Sequence, residues 1–221
     1  LDVRSIIDQV RQDGDDALVK LTRIFDRYDI DLNRLRFTED EIAKSIRSCR
    51  SDHLDALNLA AHRIREFHQR QLPENLSYID EEGVRLGYRW TSIQAVGLYV
   101  PGGTASYPSS VLMSSLPARI AGVQRLVMVV PTPGDQVNPL VLAAADIAGG
   151  DDIYRIGGAK GVAALAYGTE SIKPVDKIVG PGNIYVSTAK KMVFGQVGID
   201  MIAGPSEILV IADGNNDPRW I

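Results

Sequence analysis

Over residues 1 to 72 the apolar positions recur at the three-to-four-residue spacing of a helix with one buried face. Val3, Ile6, Ile7 and Val10 form a first stretch, already under way near the first residue, and Gly14 interrupts it. Ala17, Leu18, Leu21, Ile24, Phe25 and Tyr28 then resume the spacing. Thr38-Glu39-Asp40-Glu41 has the form of a capping box, in which hydroxyl and carboxylate each satisfy a free N–H at a helix start. It opens a helix with Ile42 and Ile46 inward. Asp52 starts a longer helix whose stripe is Leu54, Leu57, Ala61, Ile64 and His68.

After Pro73 the period changes. Tyr78 to Val100 is rich in β-forming residues, with Glu82-Gly83 as a turn and alternation at Val84, Leu86, Tyr88 and Trp90, so it predicts a hairpin and then a strand from Ala95 to Val100. Strands and helices follow in turn. A strand Arg125 to Val130 leads to a helix Pro139 to Ala148 capped by Asn138. A strand Asp152 to Ile156 leads to a helix Gly161 to Tyr167, and a strand Lys177 to Val179 to a helix Ile184 to Phe194. Strands Ile199 to Ile202 and Ile208 to Ala212 complete the series. This order predicts an α/β protein with right-handed crossovers and a parallel, doubly wound sheet behind a helical N-terminal region.

Composition narrows the function classes. The chain has 221 residues, 45% of them hydrophobic, and 24 Lys and Arg against 28 Asp and Glu, for a net charge of −4. Disorder is excluded, and there is no cationic excess to bind nucleic acid or an anionic membrane surface. No apolar run approaches the ~20 residues of a membrane helix, and Leu1-Asp2-Val3-Arg4 has no signal-peptide pattern. A cytoplasmic protein whose partner is a small molecule or another subunit is expected. Cys49, the single cysteine, has no internal disulfide partner. His53, His62 and His68 share one predicted helix without the i, i+4 spacing of a helical metal pair, so they read as surface or packing residues and no metal site is assigned in this chain. At the other end, Asp217 and Pro218 have the form of a helix N-cap and first turn just before Ile221. Both ends thus suggest part of a longer polypeptide.

Four predicted strands run into glycine-bearing loops: Tyr99 to Gly103, Ile156 to Lys160, Val179 to Asn183, and Ala203 to Glu207. In an open parallel sheet these ends share one edge, where ligands bind at the switch in strand order. Glycines admit a phosphate close to backbone amides, and a helix start directs further N–H groups at it. The loops therefore point to a nucleotide, against the alternative that Gly and Pro are ordinary turn punctuation. The dinucleotide fingerprint G-x-G-x-x-G is incomplete, because Gly180-Pro181-Gly182 is followed by Tyr185 at the third position. Tyr99 is suited to stacking or hydrogen bonding; Asn183 either meets the ligand or simply caps a helix. No catalytic residue is assigned. Ser206-Glu207 has no neighbouring histidine in sequence, no G-x-S-x-G elbow occurs, Cys49 reads as a small buried hydrophobe, and Asp151-Asp152 as loop solvation.

The stretches Val96 to Thr104 (V-G-L-Y-V-P-G-G-T), Gly157-Gly158-Ala159, Ala164 to Glu170 (A-L-A-Y-G-T-E), Val175 to Asn183 (V-D-K-I-V-G-P-G-N) and Ile199 to Glu207 (I-D-M-I-A-G-P-S-E) together resemble the histidinol dehydrogenase family. The resemblance extends over essentially the whole chain. It implies two incomplete Rossmann-like units, one inserted in the other: residues 1–98 opening the first unit, 99–206 forming the second, and 207–221 returning to the first. It also implies an NAD- and zinc-dependent enzyme that oxidises L-histidinol through L-histidinal to L-histidine in the last steps of histidine biosynthesis, acting as a homodimer with shared sites. Tyr99 and Asn183 match positions that contact NAD, and Ser206 matches a substrate-contacting serine. At the third NAD position the family usually carries glutamine and this chain has Lys160, expected either to face a phosphate or to point to solvent. The zinc ligands and the Glu–His pair that moves protons resemble segments beyond Ile221, so the chain itself is expected to supply the cofactor part and to be inactive alone. A sister dehydrogenase for another small alcohol and a non-catalytic nucleotide-binding protein remain the alternatives.

Overall fold

The computed structural model describes residues 2–102, 107–202 and 207–220. Helix α1 (Val3–Asp26) starts at Asp2, whose carboxylate accepts the Ser5 N–H at 2.7 Å. The break expected at Gly14 is a kink with φ 53° and ψ −127°, after which the helix continues. A side chain at this glycine would collide with Glu170, whose carboxylate stands 2.2 Å from the ideal Cβ position and accepts the Asp15 N–H at 2.8 Å. Glycine is needed here for both its left-handed φ and its lack of bulk.

Helix α2 (Glu39–Ser48) has the predicted capping box: Thr38 Oγ1 accepts the Glu41 N–H, and the Glu41 carboxylate accepts the Thr38 N–H. Helix α3 (Ser51–Gln69) begins one residue before the expected Asp52 and has no side-chain cap. Strands β1 (Leu76–Ile79) and β2 (Arg85–Tyr88) form the expected antiparallel hairpin, but every residue in both is exposed. Its alternation therefore marks a strand without a covered face among the described residues.

The sheet that organises the chain is parallel throughout. Strands β3 (Ala95–Tyr99), β4 (Arg125–Val129), β5 (Asp152–Tyr154), β6 (Lys177–Val179) and β7 (Gly198–Ile199) lie in the order β5-β4-β3-β6-β7. The connecting helices are α4 (Pro108–Ile120), α5 (Pro139–Ile147), α6 (Gly158–Tyr167) and α7 (Ile184–Val193). Alternate strand residues feed two cores. Val96, Leu98, Leu126 and Met128 face α4 and α5, while Ala95, Tyr99, Val127 and Val129 face α1, α6 and α7. Burial on both faces explains why these strands read as continuous apolar runs.

Four expectations need correction. Helix α4 is absent from the sequence-derived order because Ser109, Ser110, Ser114, Ser115 and Pro117 obscure its period, although Val111, Leu112 and Leu116 are buried on one side. Helix α6 starts at Gly158 rather than Gly161. The strand expected over Ile208 to Ala212 does not form, and the last strand ends at Ile199 rather than Ile202. A strand needs a partner to complete its backbone ladder, and residues 207–212 pair with none of the described strands. No helix among the described residues is long and apolar enough to cross a membrane.

Candidate cofactor site

Strand β3 lies at the centre of the sheet, with β4 and β5 on one side and β6 and β7 on the other, so the strand order reverses between β3 and β6. A cavity of about 430 Å³ opens at that switch. Gly102 after β3, Pro131 after β4, Gly157 and Gly158 after β5, and Asn183 after β6 all line it. Three of the four glycine loops thus meet as the sequence predicts, and the fourth lies at 203–206, outside the described residues, together with Ser206.

Tyr99 ends β3 on the face toward α1 and α6, and it is 5% exposed. Its hydroxyl oxygen accepts the Gly158 N–H at 3.0 Å. Burial pushes its phenol pKa up, and the charge of Asp26 adds to that despite the opposing Gly158 hydrogen bond. Tyr99 therefore stays neutral, with its own proton available to an acceptor in the cavity. Asn183 caps a helix and also stands in the cavity wall. Its Oδ1 caps α7, accepting the Tyr185 and Val186 N–H groups at 3.1 Å each, and the residue lines the cavity. The capping leaves Nδ2 without a protein acceptor among the described residues. Helix α6 has no side-chain cap at Gly157, and with the Gly158 N–H given to Tyr99, the Ala159 and Lys160 N–H groups of its first turn are the ones placed to hold an anion.

Lys160 does not point to solvent. It is 3% exposed in the first turn of α6, and its ammonium lies 2.6 Å from Asp26 Oδ2 at the end of α1. A buried cation near a helix N-terminus opposes both desolvation and the helix dipole, and the carboxylate offsets both. Sequence reasoning missed Asp26, because nothing in the local pattern reveals a partner contributed by a helix so distant in the chain.

It also missed a second pair, in which a buried lysine meets an aspartate at the surface. Gly180 has φ +116°, and an ideal Cβ there would lie 2.2 Å from the Tyr99 carbonyl oxygen, so the loop after β6 packs directly on the end of β3. Both faces of this turn are held. Asp200 accepts the Gly180 N–H at 2.8 Å, while Lys190 donates to the Gly180 carbonyl at 3.0 Å and pairs with Asp200. A lysine on the buried stripe of α7, beside Val186, Ala189 and Val193, was the signal available in the sequence. Cys49 is half-buried, and His53 and His62 are exposed. Among the described residues no group of three or more His, Cys, Asp or Glu side chains could hold a metal ion, so the zinc implied by the resemblance finds no ligand set there.

A protein-family model described as histidinol dehydrogenase matches residues 1–221. The chain is 63% identical over 219 residues to a histidinol dehydrogenase of Rhodospirillum rubrum, covering 99% of this chain and 50% of that one. It is 59% identical to one of Brucella abortus, covering 99% of this chain and 51% of that one. Its fold superposes on the crystal structure of histidinol dehydrogenase from Elizabethkingia anophelis with a TM-score of 0.91 at 35% sequence identity, covering 99% of this chain and 50% of that chain. The chain thus spans about half the length of the relatives it matches. Matched over all its residues, the chain belongs to the histidinol dehydrogenase family.

Proposed function

We propose that this chain carries the cofactor-binding part of an NAD-dependent dehydrogenase that oxidises L-histidinol through L-histidinal to L-histidine. The observation that carries the reading is the cavity at the strand-order switch, where Tyr99, Asn183 and the uncapped start of α6 converge. NAD, when bound, supplies the hydride acceptor; the protein's share is orientation and proton handling. The Ala159 and Lys160 N–H groups in the first turn of α6 hold the pyrophosphate. The Tyr99 hydroxyl and the Asn183 Nδ2 donate hydrogen bonds to the dinucleotide, and Lys160 braces the wall between them and α1. Ser206 contacts the substrate alcohol.

Zinc, the Glu–His proton-transfer pair and the remaining substrate contacts belong, on this reading, to residues outside the described ones. It includes the two nested Rossmann-like units with boundaries near residues 98 and 206, a homodimer, and a cytoplasmic location. The test is histidinol-dependent NADH formation by the protein at the full length of its relatives, followed by its absorbance. NAD binding without such turnover would favour a non-catalytic nucleotide-binding protein. Turnover with a different small alcohol would make it a sister dehydrogenase.

A further inference from the structure

In doubly wound dinucleotide sites an acidic side chain at the end of the second strand accepts hydrogen bonds from the ribose hydroxyls and repels a 2′-phosphate. The corresponding strand here is β4, and it runs into Val130-Pro131-Thr132-Pro133, which contains no acid. Pro131 and Pro133 line the cavity, and so does Asp26 from α1, the only carboxylate among the described lining residues. Its Oδ2 is bound by Lys160, and Oδ1 has no protein hydrogen-bond donor among the described residues. Lys160 is the only cation among the described lining residues, and its ammonium is committed to that carboxylate. Because Lys160 belongs to the first turn of α6, the carboxylate stands within one residue's reach of the N–H groups that suit a pyrophosphate.

Given the dinucleotide reading above, we infer that Asp26 is the specificity-determining carboxylate of this site. Lys160 holds Asp26 so that Oδ1 accepts from the adenosine ribose diol, and the pair excludes dinucleotides bearing a 2′-phosphate. An acid delivered by the N-terminal helix replaces the one missing from β4. Lys160, which stands where the family usually has glutamine, positions that acid; a phosphate cannot recruit its charge while Asp26 holds it.

The test is a calorimetric titration of NAD and NADP, and of ADP-ribose with and without the 2′-phosphate, into the full-length protein. Wild type is expected to favour the unphosphorylated ligand of each pair by tenfold or more. Asp26→Asn removes the repulsion and frees the ammonium, and should shift the ratio toward the phosphorylated ligand by about tenfold or more, since a charge-assisted contact is made and a like-charge contact removed. Asp26→Asn/Lys160→Gln buries a neutral pair, so it can be measured even if the single variant does not fold. It should weaken NAD by about threefold or more without tightening NADP. An unchanged ratio in folded Asp26→Asn, or unchanged NAD affinity in the double variant, would overturn the inference while leaving the dinucleotide reading intact. Wild type that binds neither dinucleotide would overturn both.

Discussion

Two sets of strands in this chain carry similar amounts of apolar side chain and end in opposite surroundings. In the parallel sheet Val96, Leu98, Leu126 and Met128 are closed off from solvent on both sides by helices, and the sheet's carboxyl edge forms the cavity. In the β1–β2 hairpin Leu76, Tyr78, Leu86 and Tyr88 are exposed, as are Ile208, Leu209 and Ile211 in the segment after the fourth glycine loop. A strand pattern therefore reports backbone preference and side-chain direction, whereas burial depends on what else is present to cover the face. The cavity belongs to the covered set because its loops leave strands that flanking helices bury on both faces.

The contrast predicts graded effects. Leu98→Ala, at the centre of the sheet, is expected to cost about 2–5 kcal/mol by opening a cavity between β3 and α4; urea unfolding monitored by circular dichroism measures it, and a loss below 1 kcal/mol, roughly what a surface site gives, would erase the distinction. Gly180→Ala must fit a Cβ against the Tyr99 carbonyl at a φ that L-residues rarely adopt. It should cost about 1–3 kcal/mol and weaken NAD binding together with stability, so a variant that melts normally and binds normally would show that the loop does not depend on that contact.

Glu41 sharpens the picture at the margin between the sets. Burial opposes its ionisation, but the Thr38 N–H and the Arg155 guanidinium outweigh that and hold its carboxyl below the usual range. A depressed folded-state pKa means stability that is present above the unfolded pKa and is lost as pH falls through the folded one. Glu41→Gln should therefore destabilise by under about 1 kcal/mol at neutral pH, since solvent reaches the pair, and the difference from wild type should vanish in acid below the carboxylate range. A constant difference across pH would assign the effect to the cap alone. The smallest effect is expected for Leu86→Ser in the hairpin, within about 0.5 kcal/mol in the 221-residue chain. The same change made at the full length of the relatives measures directly whether the hairpin gains a cover there.

Legibility followed the range of the interactions. The Thr38–Glu41 capping box, the Gly14 break, the Asn138 and Asn183 caps and the strand–helix alternation from β4 to α7 are legible because they depend on neighbours a few residues apart. The convergence of the three described glycine loops followed from the rule for parallel sheets. Helix α4 is hidden by its own serines and by Pro117, and residues 208–212 read as a strand because β-rich composition says nothing about a pairing partner. The position of Lys160 was beyond local reasoning for the same cause: its solvation depends on Asp26, and only the packing of α1 against α6 brings the two together.

The kink at Gly14 also sets an angular tolerance. From Gly14 to Asp26 the second half of α1 is an arm of roughly 18 Å at about 1.5 Å per residue, so a swing of about 10° at the glycine carries the Asp26 carboxylate about 3 Å, the length of a whole hydrogen bond. The brace that fixes the angle is the Glu170 carboxylate against Gly14 and the Asp15 N–H, at the far end of α6 from Lys160. One helix is thus pinned to its neighbour at two points, like a beam on two bearings, and the aim of a carboxylate in the cavity is set from the opposite end of α6.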